Sequence, residues 1–346
     1  MTRPKSRILI VGQGIGGTSL AWTCIQKGIE FKIIDDGYKS SSSLAAAGLF
    51  NPLILKRRKL TWRADEFISR LEGFYSAVEG LLGVEVFHKS GIYRRIASIE
   101  ELNDWQGLQS TPEYKKYLGK IHPSDPSGGI DAPFGYQEVK EAGYVNVDTY
   151  LRRSREYFLR HGYLLDGLYD MKSQKKEEYI EFNKSILATG FRTLKSKDYF
   201  EGLPYTPAKG HTIEIKCESL KLDKLINGPC FIIPLGEDRY RLGSTYSWSK
   251  FNNEIEEKEV NKLRIAFESM CSFSYSIEQE WAGVRPATKD RRPFVGRSKI
   301  ALDTYIFNGL GSRAIMSTPT LANQLIDHIT QGNPLWPDIQ VERFLG

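Results

Sequence analysis

Cysteine and histidine are scarce in this chain of 346 residues. The four cysteines show no CxxC or CxxH spacing, and the five histidines show no metal-ligand spacing. A zinc site, any other metal site or a disulfide framework is therefore not expected, and the thiols are predicted to be reduced and buried. The cysteines are Cys24, Cys217, Cys230 and Cys271.

Long apolar runs are also missing, since none reaches the roughly 18 residues that a membrane helix needs. The composition, 40% hydrophobic and 26% charged, is ordinary for a soluble globular protein. The basic start, MTRPKSRILIVG, passes directly into a strand-like run without a small-residue cleavage site. These features argue against a signal peptide and predict a cytoplasmic protein with no membrane partner. The length suggests more than one domain.

Charge of one sign is only slightly in excess, because 48 lysines and arginines against 42 acidic residues give a net charge of +6. The densest basic cluster is KRRK at 56–59. Two interpretations stay open for it: a solvated loop, or a patch that attracts an anionic partner such as nucleic acid or a diphosphate.

The chain opens with an alternation of strand and helix patterns. Apolar residues predict a strand over Arg7–Val11, a helix over about Gly16–Lys27 and a second strand over Phe31–Asp35. The intervening GQGIGG matches the pattern GxGxxG, whose glycines permit a tight turn, close approach of a pyrophosphate and close helix packing. The start of the helix also offers N–H groups and a positive dipole end to phosphates. The predicted contacts are Gly12, Gly14, Ile15, Gly16 and Gly17.

An acidic residue ends the second predicted strand. Asp35 follows Gly17 at nearly the spacing expected for the carboxylate that holds a ribose 2′-hydroxyl, with Asp36 as the alternative ligand. An acid at this position disfavours NADP, whose 2′-phosphate it would repel.

Three later segments favour FAD over NAD. The segment SSSLAAAGLFNP contributes Ala46, Ala47 and Gly48, and SILATG contributes Ala188, Thr189 and Gly190. The terminal NGLGSR loop precedes a helix predicted to start near Ser317–Pro319, whose positive end suits the charge on a reduced flavin. An NAD-dependent dehydrogenase stays open as an alternative, but it leaves this loop unexplained. The loop residues predicted to bind the cofactor are Gly309, Gly311, Ser312, Arg313 and Ala314.

The nucleotide-binding patterns lie at the start, middle and end of the chain, with strand-rich sequence between them. A helix is predicted over about Ala64–Leu82, and FIIPLGEDRYRLGSTYSW is predicted to form a hairpin. The segment HPSDPSGGIDAPFG is predicted to be a loop. This arrangement predicts two interleaved domains in a mixed α/β fold.

Together the glycine loop, AAAGLFNP, ILATG, WAGVRPATKDRRPFVG and NGLGSRAIMSTP resemble the D-amino-acid-oxidase (DAO) family of FAD-dependent oxidoreductases. The resemblance covers nearly the whole chain. It is strongest to the glycine and sarcosine oxidase branch, and close to the oxidase half of the bifunctional tRNA wobble-uridine enzyme. It implies a Rossmann-like FAD-binding domain (1–83, 142–204 and 281–346) interleaved with a mixed-sheet α+β substrate domain (84–141 and 205–280). No histidine or cysteine occupies a tethering position, so non-covalent FAD is expected.

The resemblance implies oxidation of the C–N bond of a small amino acid or an N-substituted glycine, by hydride transfer to flavin N5 with oxygen as acceptor. Arg285, in the GVRP motif, is the expected clamp for the substrate carboxylate, because a guanidinium binds a carboxylate through two hydrogen bonds. Arg313 is the second expected catalytic residue, and Tyr246 is expected to line the substrate cavity. Arg285 in an internal ion pair and Tyr246 in the core are the alternative interpretations.

Two other functions remain open. The first is a tRNA-modifying oxidase that removes a carboxymethyl group from a wobble uridine, which the KRRK cluster and the GLGSR motif favour. The second is a non-catalytic flavin-binding module.

Overall fold

The computed structural model describes residues 6–37, 42–123, 129–167, 169, 181–195, 199–248 and 250–344. The strands are β1 (Arg7–Val11), β2 (Glu30–Asp35), β3 (Leu49–Phe50), β4 (Leu53–Ile54), β5 (Lys59–Leu60), β6 (Phe87–His88), β7 (Ile92–Arg95), β8 (Leu118–His122), β9 (Tyr136–Val139), β10 (Gly143–Val145), β11 (Leu164–Asp166), β12 (Lys184–Leu187), β13 (Ala208–Lys216), β14 (Leu225–Asn227), β15 (Phe231–Gly236), β16 (Arg239–Gly243), β17 (Ser276–Arg285), β18 (Phe294–Arg297) and β19 (Thr304–Asn308). The α-helices are α1 (Ile15–Lys27), α2 (Ala64–Leu82), α3 (Ile99–Gln109), α4 (Pro112–Lys115), α5 (Val147–Arg160), α6 (Glu257–Glu268) and α7 (Ala314–Gln331).

One sheet is almost entirely parallel and has the strand order β11-β2-β1-β12-β19-β18, in which only β18 runs antiparallel to its neighbour. Its central strand β1 is buried from Ile8 to Val11: Ile8 and Ile10 belong to the hydrophobic cluster that includes α1 and α7, and Leu9 and Val11 belong to a second cluster. Helices α1 and α7 pack against each other over this sheet. The predicted strand, helix and strand at the start of the chain are confirmed to within one residue.

A second, mixed sheet has the order β17-β13-β16-β15-β14-β7-β9-β8. Helix α6 lies against β13 and β16, and the hydrophobic cluster between them includes Leu242, Leu263 and Phe267. The predicted hairpin is formed by β15 and β16, and its turn residues Glu237 and Asp238 both have positive φ. The predicted mixed α/β fold is therefore confirmed.

Helices α3 and α4 fall in a stretch for which no helix was predicted. Helix α3 begins at a capping motif, because the Ser98 side chain accepts a hydrogen bond from the Glu101 N–H at 3.1 Å. The Glu101 carboxylate in turn accepts one from the Ala97 N–H at 3.0 Å. Part of the predicted loop 122–135 lies outside the described residues.

Each of the four cysteines is buried and forms no disulfide, in agreement with the expected reduced thiols. Within the described ranges, no helix is both long enough and apolar enough to cross a bilayer.

Candidate active site

A cavity of about 590 Å³ lies between the two sheets. The parallel sheet contributes residues at the carboxyl ends of its strands, such as Gly12 after β1 and Ala188 after β12. The mixed sheet contributes Gly210 on β13 and Gly283 on β17. Ligands in open α/β sheets bind at this edge, and the volume is typical of a small-molecule or cofactor site.

The first glycine loop forms one end of the cavity. Gly12 has a φ of +99°, and a Cβ placed on it would lie 2.7 Å from the Ala188 carbonyl oxygen. A Cβ on Gly17 would lie 1.8 Å from the Gly12 carbonyl oxygen, so the third glycine lets α1 pack against the turn. The first turn of α1 contains no acidic residue. Its positive end therefore stays available for an anion.

Most of the predicted cofactor-binding residues line this one cavity. Gly17 and Gly309 do not: Gly17 serves the helix packing just described, and a Cβ on Gly309 would lie 2.5 Å from Thr288. The predicted residues that line the cavity are Gly12, Gly14, Ile15, Gly16, Asp35, Asp36, Ala46, Ala47, Gly48, Ala188, Thr189, Gly190, Gly311, Ser312, Arg313 and Ala314.

Both acidic residues at the end of β2 line the cavity and are paired within the protein. The Asp35 carboxylate accepts hydrogen bonds from the Gln13 N–H at 2.8 Å and from the Arg155 guanidinium at 2.9 Å. The Asp36 carboxylate accepts one from Arg192 at 2.5 Å. The ion pairs fix the position of both carboxylates at the place where the sequence predicted a ribose.

The ends of β12 and β19 are joined by Asn308, which is buried. Its side-chain amide donates to the Gly190 carbonyl oxygen at 2.9 Å and to the Thr193 hydroxyl at 2.6 Å. This link holds the ILATG turn and the terminal glycine loop side by side, although they are far apart in sequence.

Two glycines that were not predicted as site residues lie side by side on neighbouring strands of the mixed sheet. Gly210 and Gly283 are register partners on β13 and β17, and both line the cavity. A Cβ on Gly210 would lie 2.1 Å from the Arg285 guanidinium, and one on Gly283 would lie 2.9 Å from Ser42. On this wall of the cavity the two glycines leave room for the Arg285 side chain and for the segment that contains Ser42. No local sequence pattern predicts this glycine pair, because the pairing depends on the register between two strands that are distant in sequence.

Helix α7 begins at Ala314, three residues before the predicted start at Ser317–Pro319. The prediction was wrong because it took Pro319 as a first-turn residue, whereas Pro319 lies inside the helix. Proline has no N–H, so the Ile315 carbonyl four residues earlier loses its helical partner. The Tyr75 hydroxyl replaces it and donates a hydrogen bond to that carbonyl at 3.1 Å. The helix can therefore begin directly after the GLGSR loop.

Arg285, at the end of β17, points its charge into the cavity without an acidic partner among the described residues. Its guanidinium approaches the Thr245 carbonyl oxygen at 3.5 Å and lies 4.6 Å from the centre of the Tyr246 ring. Burial lowers the pKa of Arg285 below its usual value of 12.5, because desolvation disfavours the charged form. A bound carboxylate would compensate this charge.

Arg313 also lines the cavity and forms no ion pair within the described part of the chain. Its guanidinium donates to the carbonyl oxygens of Asn51 at 3.3 Å and Leu53 at 3.4 Å. Burial lowers the pKa of Arg313 to about 10. Neutral carbonyls orient this side chain but leave its charge uncompensated.

Tyr246 lines the cavity near both arginines, and 49% of its surface is exposed. The predicted substrate-binding residues are thus brought together at the same cavity. The alternative that Tyr246 is simply a core residue does not agree with this exposure.

The residues present fit a dinucleotide cofactor. The positive end of α1 and the cradle at Gly12 suit a pyrophosphate, and the Ser43 hydroxyl, 3.1 Å from the Ile15 N–H, stands beside it. A cavity of this kind, with a GxGxxG turn and the start of a helix at one end, is typical of dinucleotide-dependent oxidoreductases.

Comparison with known proteins assigns the family within that class. The model of the family described as FAD dependent oxidoreductase (DAO) matches residues 7–328. The chain therefore belongs to the DAO family, as its motifs predicted, and its cofactor is FAD.

Curated relatives share about a quarter of their residues with the chain. It is 24% identical to the bifunctional protein ThiO/ThiG of Nostoc, over 94% of the chain and 52% of that protein. It is 28% identical to glycine oxidase of Bacillus licheniformis, over 96% of the chain and 95% of that protein. It is 24% identical to the tRNA 5-methylaminomethyl-2-thiouridine biosynthesis bifunctional protein MnmC of Legionella pneumophila, over 88% of the chain and 47% of that protein.

The chain spans about half the length of the bifunctional relatives and nearly all of the glycine oxidase. Among solved structures, glycine oxidase of Bacillus cereus superposes with a TM-score of 0.77 at 19% identity, over 95% of this chain and 96% of that one. At this identity the likeness shows a shared fold.

Proposed function

We propose that the chain is an FAD-dependent amine oxidase that acts on a small amino acid or an N-substituted glycine. The observation that carries the proposal is the Arg285 guanidinium, which faces the cavity beside Tyr246 and has no acidic partner among the described residues. A guanidinium binds a carboxylate in a fixed, two-pronged geometry. Glycine oxidase among the relatives and iminodiacetate oxidase among the structural neighbours are named for substrates of this kind.

When FAD is bound, it supplies a two-electron acceptor for the hydride from the C–H bond beside the amine. As the hydride leaves, the nitrogen lone pair of the substrate forms a C=N bond and the N–H proton is lost. Water then hydrolyses the C=N bond and releases an amine and an oxo acid. The residues of the chain act by positioning. Arg285 orients the substrate carboxylate, and Tyr246 lies beside Arg285 at the cavity. Correct positioning alone can supply several kcal/mol of the barrier reduction.

The same proposal assigns the cofactor-lining residues to non-covalent FAD, with Gly12 and the start of α1 at the pyrophosphate and Asp35 or Asp36 at the ribose. Oxygen is the proposed electron acceptor, which predicts hydrogen peroxide as a product in air.

The first test is the visible spectrum of the purified protein without oxygen, before and after N-methylglycine is added. Bleaching of the flavin spectrum supports the proposal, and admitting air should restore the spectrum and release hydrogen peroxide. A flavin spectrum that no small amine or amino acid bleaches would contradict it.

The variant Arg285→Ala tests the residue that carries the proposal. We expect unchanged FAD content and a fall in kcat/KM of about 100-fold or more, mainly through KM, since a charge-assisted bidentate contact is lost. Arg152→Ala is the matched control, because Arg152 is exposed on α5 and pairs with Glu156 on the same helix. An Arg285→Ala variant with normal turnover would contradict the proposed clamp.

A tRNA-modifying oxidase is the second candidate, and one observation favours it. The hairpin β4–β5 carries the KRRK cluster, in which Lys56, Arg57 and Lys59 are exposed, and its Leu53 carbonyl contacts Arg313 at the cavity. If RNA binds there, its affinity should fall steeply with salt. Replacing the three exposed cations by glutamine should weaken binding and reduce the slope of log K against log salt by up to about three.

The two candidates and the non-catalytic module give different results with the same protein. A small-molecule oxidase is bleached by small amines and shows no tight tRNA binding. A tRNA enzyme is bleached only by tRNA that bears the carboxymethylaminomethyl group. A non-catalytic module keeps its flavin spectrum with every substrate.

A further inference from the structure

The cavity contains two guanidinium groups whose charge no described residue balances. Its acidic lining residues are Asp35 and Asp36, and each of them is paired with an arginine, Arg155 and Arg192 respectively. Arg285 and Arg313 therefore remain as cations without an acidic counterpart in the described lining.

Both of these arginines line the cavity together with Tyr246. The Arg285 guanidinium stands 4.6 Å from the centre of the Tyr246 ring, and the Arg313 guanidinium lies against the carbonyl oxygens of Asn51 and Leu53. Arg285 contacts one backbone carbonyl and Arg313 contacts two, so most of the five N–H donors on each guanidinium have no partner among the described residues.

Leaving two buried charges unpaired in one cavity is unfavourable unless a ligand compensates them. A single carboxylate held by Arg285 would leave the charge of Arg313 uncompensated. The two carbonyl oxygens of Asn51 and Leu53 hold the Arg313 guanidinium in one orientation. A guanidinium that is oriented in advance can bind a ligand group at one fixed position.

We propose that the substrate of this site carries two carboxylates, one on each side of the reacting amine, with Arg285 binding the first and Arg313 the second. This inference rests on the proposed amine oxidation and names its substrate class: N-carboxyalkyl amino acids rather than simple amino acids. Arg313 is then the specificity-determining residue, because it contacts only the second carboxylate.

To test this inference, binding and turnover are measured separately with matched pairs of compounds. Thiodiacetate and methylthioacetate differ in the second carboxylate and cannot undergo amine oxidation, so their binding to the FAD-loaded protein is measured by calorimetry. Iminodiacetate and N-methylglycine are the corresponding oxidisable pair, followed by anaerobic bleaching.

We expect thiodiacetate to bind about 10- to 100-fold more tightly than methylthioacetate, the factor of one charge-assisted contact. Arg313→Gln should weaken thiodiacetate binding to the level of methylthioacetate and leave methylthioacetate unchanged. Arg313→Lys, which keeps the charge, should restore part of the preference. Arg285→Gln should weaken both compounds, and Arg152→Gln should change neither.

Equal binding of the two thioethers would overturn the inference. A loss of both ligands in Arg313→Gln with FAD still bound would also overturn it and would indicate that Arg313 instead balances charge on the cofactor. If thiodiacetate binds selectively but iminodiacetate does not bleach the flavin, the inference on the ligand stands and the proposed reaction fails. If N-methylglycine is oxidised as well as iminodiacetate and the thioethers bind equally, the reaction stands and the inference fails.

Discussion

At Gly12 the chain turns from β1 toward α1 in a conformation that side chains with a Cβ rarely adopt. Its φ is +99°, and a Cβ would lie 2.7 Å from the Ala188 carbonyl oxygen. The nearest atoms are backbone atoms of Ala188 and Thr189, which cannot move aside without displacing the chain that follows β12. The residue is therefore restricted to glycine by its own conformation and by its neighbour at once.

The variant Gly12→Ala is expected to lower the free energy of unfolding by about 2 kcal/mol and to reduce the FAD content of the purified protein, because an L-residue at this φ is strained. Thermal unfolding and the flavin absorbance per protein measure the two effects. Gly80→Ala is the control: Gly80 is exposed in α2 with open space around its Cβ position, so this variant should be slightly more stable. An alanine variant at Gly12 with full FAD content would show that the turn does not bind the cofactor.

Helix α7 depends on a hydrogen bond from outside the helix. Tyr75, on α2, is fully buried, and its hydroxyl donates to the Ile315 carbonyl that Pro319 leaves without a helical partner. The start of α7 lines the cavity, so the position of this turn bears on the site.

Removing this donor in Tyr75→Phe should destabilise the protein by about 1–3 kcal/mol, since a buried carbonyl is left unsatisfied. Denaturant unfolding measures the change. Tyr157→Phe is the matched control, because the Tyr157 hydroxyl has no hydrogen-bond partner within the described contacts. Equal stability of the two variants would mean that the Ile315 carbonyl is satisfied in another way.

The segment that carries Tyr246 is fastened to β13 by a buried polar cluster. The Lys209 side chain, which has no exposed surface, donates to Asn252 at 2.7 Å and pairs with Glu256 at 3.0 Å. The Glu256 backbone N–H donates to His211 Nε2 at 3.2 Å, while His211 Nδ1 lies 3.2 Å from the Thr245 hydroxyl. Neutral His211 with its proton on Nδ1 satisfies both contacts.

Acid should weaken this attachment. Burial and the nearby Lys209 lower the pKa of His211 below 6.5, although Glu256, Glu259 and the Glu254 backbone act in the opposite direction. The histidine is thus neutral in the folded protein. Its contribution to stability is complete above about pH 6.5 and is lost as the pH falls through the lower pKa of the folded state, because protonated Nε2 cannot accept the Glu256 N–H.

The melting temperature should therefore decrease toward acid pH in the parent protein, and this decrease should be smaller in His211→Gln. Glutamine can accept and donate at the same place without taking up a proton. His161→Gln, at an exposed position after α5, should leave the pH dependence as it is in the parent. A His211→Gln variant with an unchanged pH dependence would show that the acid sensitivity arises elsewhere.

Local sequence patterns predict the elements whose formation depends on residues that are close together in the sequence. The β1–α1–β2 unit, the β15–β16 hairpin and the helix Ala64–Leu82 follow directly from apolar periodicity and glycine placement. Motifs also predict many of the residues around the cavity, because each glycine loop has its own signature.

Features that arise between distant segments could not be predicted in this way. The Gly210–Gly283 wall requires the register of β13 and β17, and the start of α7 requires the Tyr75 hydroxyl. The pairing of Asp35 with Arg155 likewise depends on where α5 packs. The capping motif at Ser98, by contrast, was present in the sequence and gave a usable signal for α3.

The cavity joins the two sheets, so the cofactor should stabilise the whole molecule. Residues of the parallel sheet (Gly12, Ala188) and of the mixed sheet (Gly210, Gly283) line the same space. A ligand that binds only the folded state adds RT ln(1 + [L]/Kd) to the free energy of unfolding, about 4 kcal/mol at 1,000 times Kd. Protein stripped of FAD should therefore unfold at a lower temperature than the loaded protein.

Adding FAD to the stripped protein should restore the melting temperature in proportion to the logarithm of its concentration. Adding NAD should have little effect, since NAD lacks the isoalloxazine ring of FAD. Gly12→Ala should reduce the rise that FAD produces, whereas Gly80→Ala should keep it. An FAD-induced rise in one unfolding transition, with a second transition unaffected, would show that the cofactor does not bridge the two sheets.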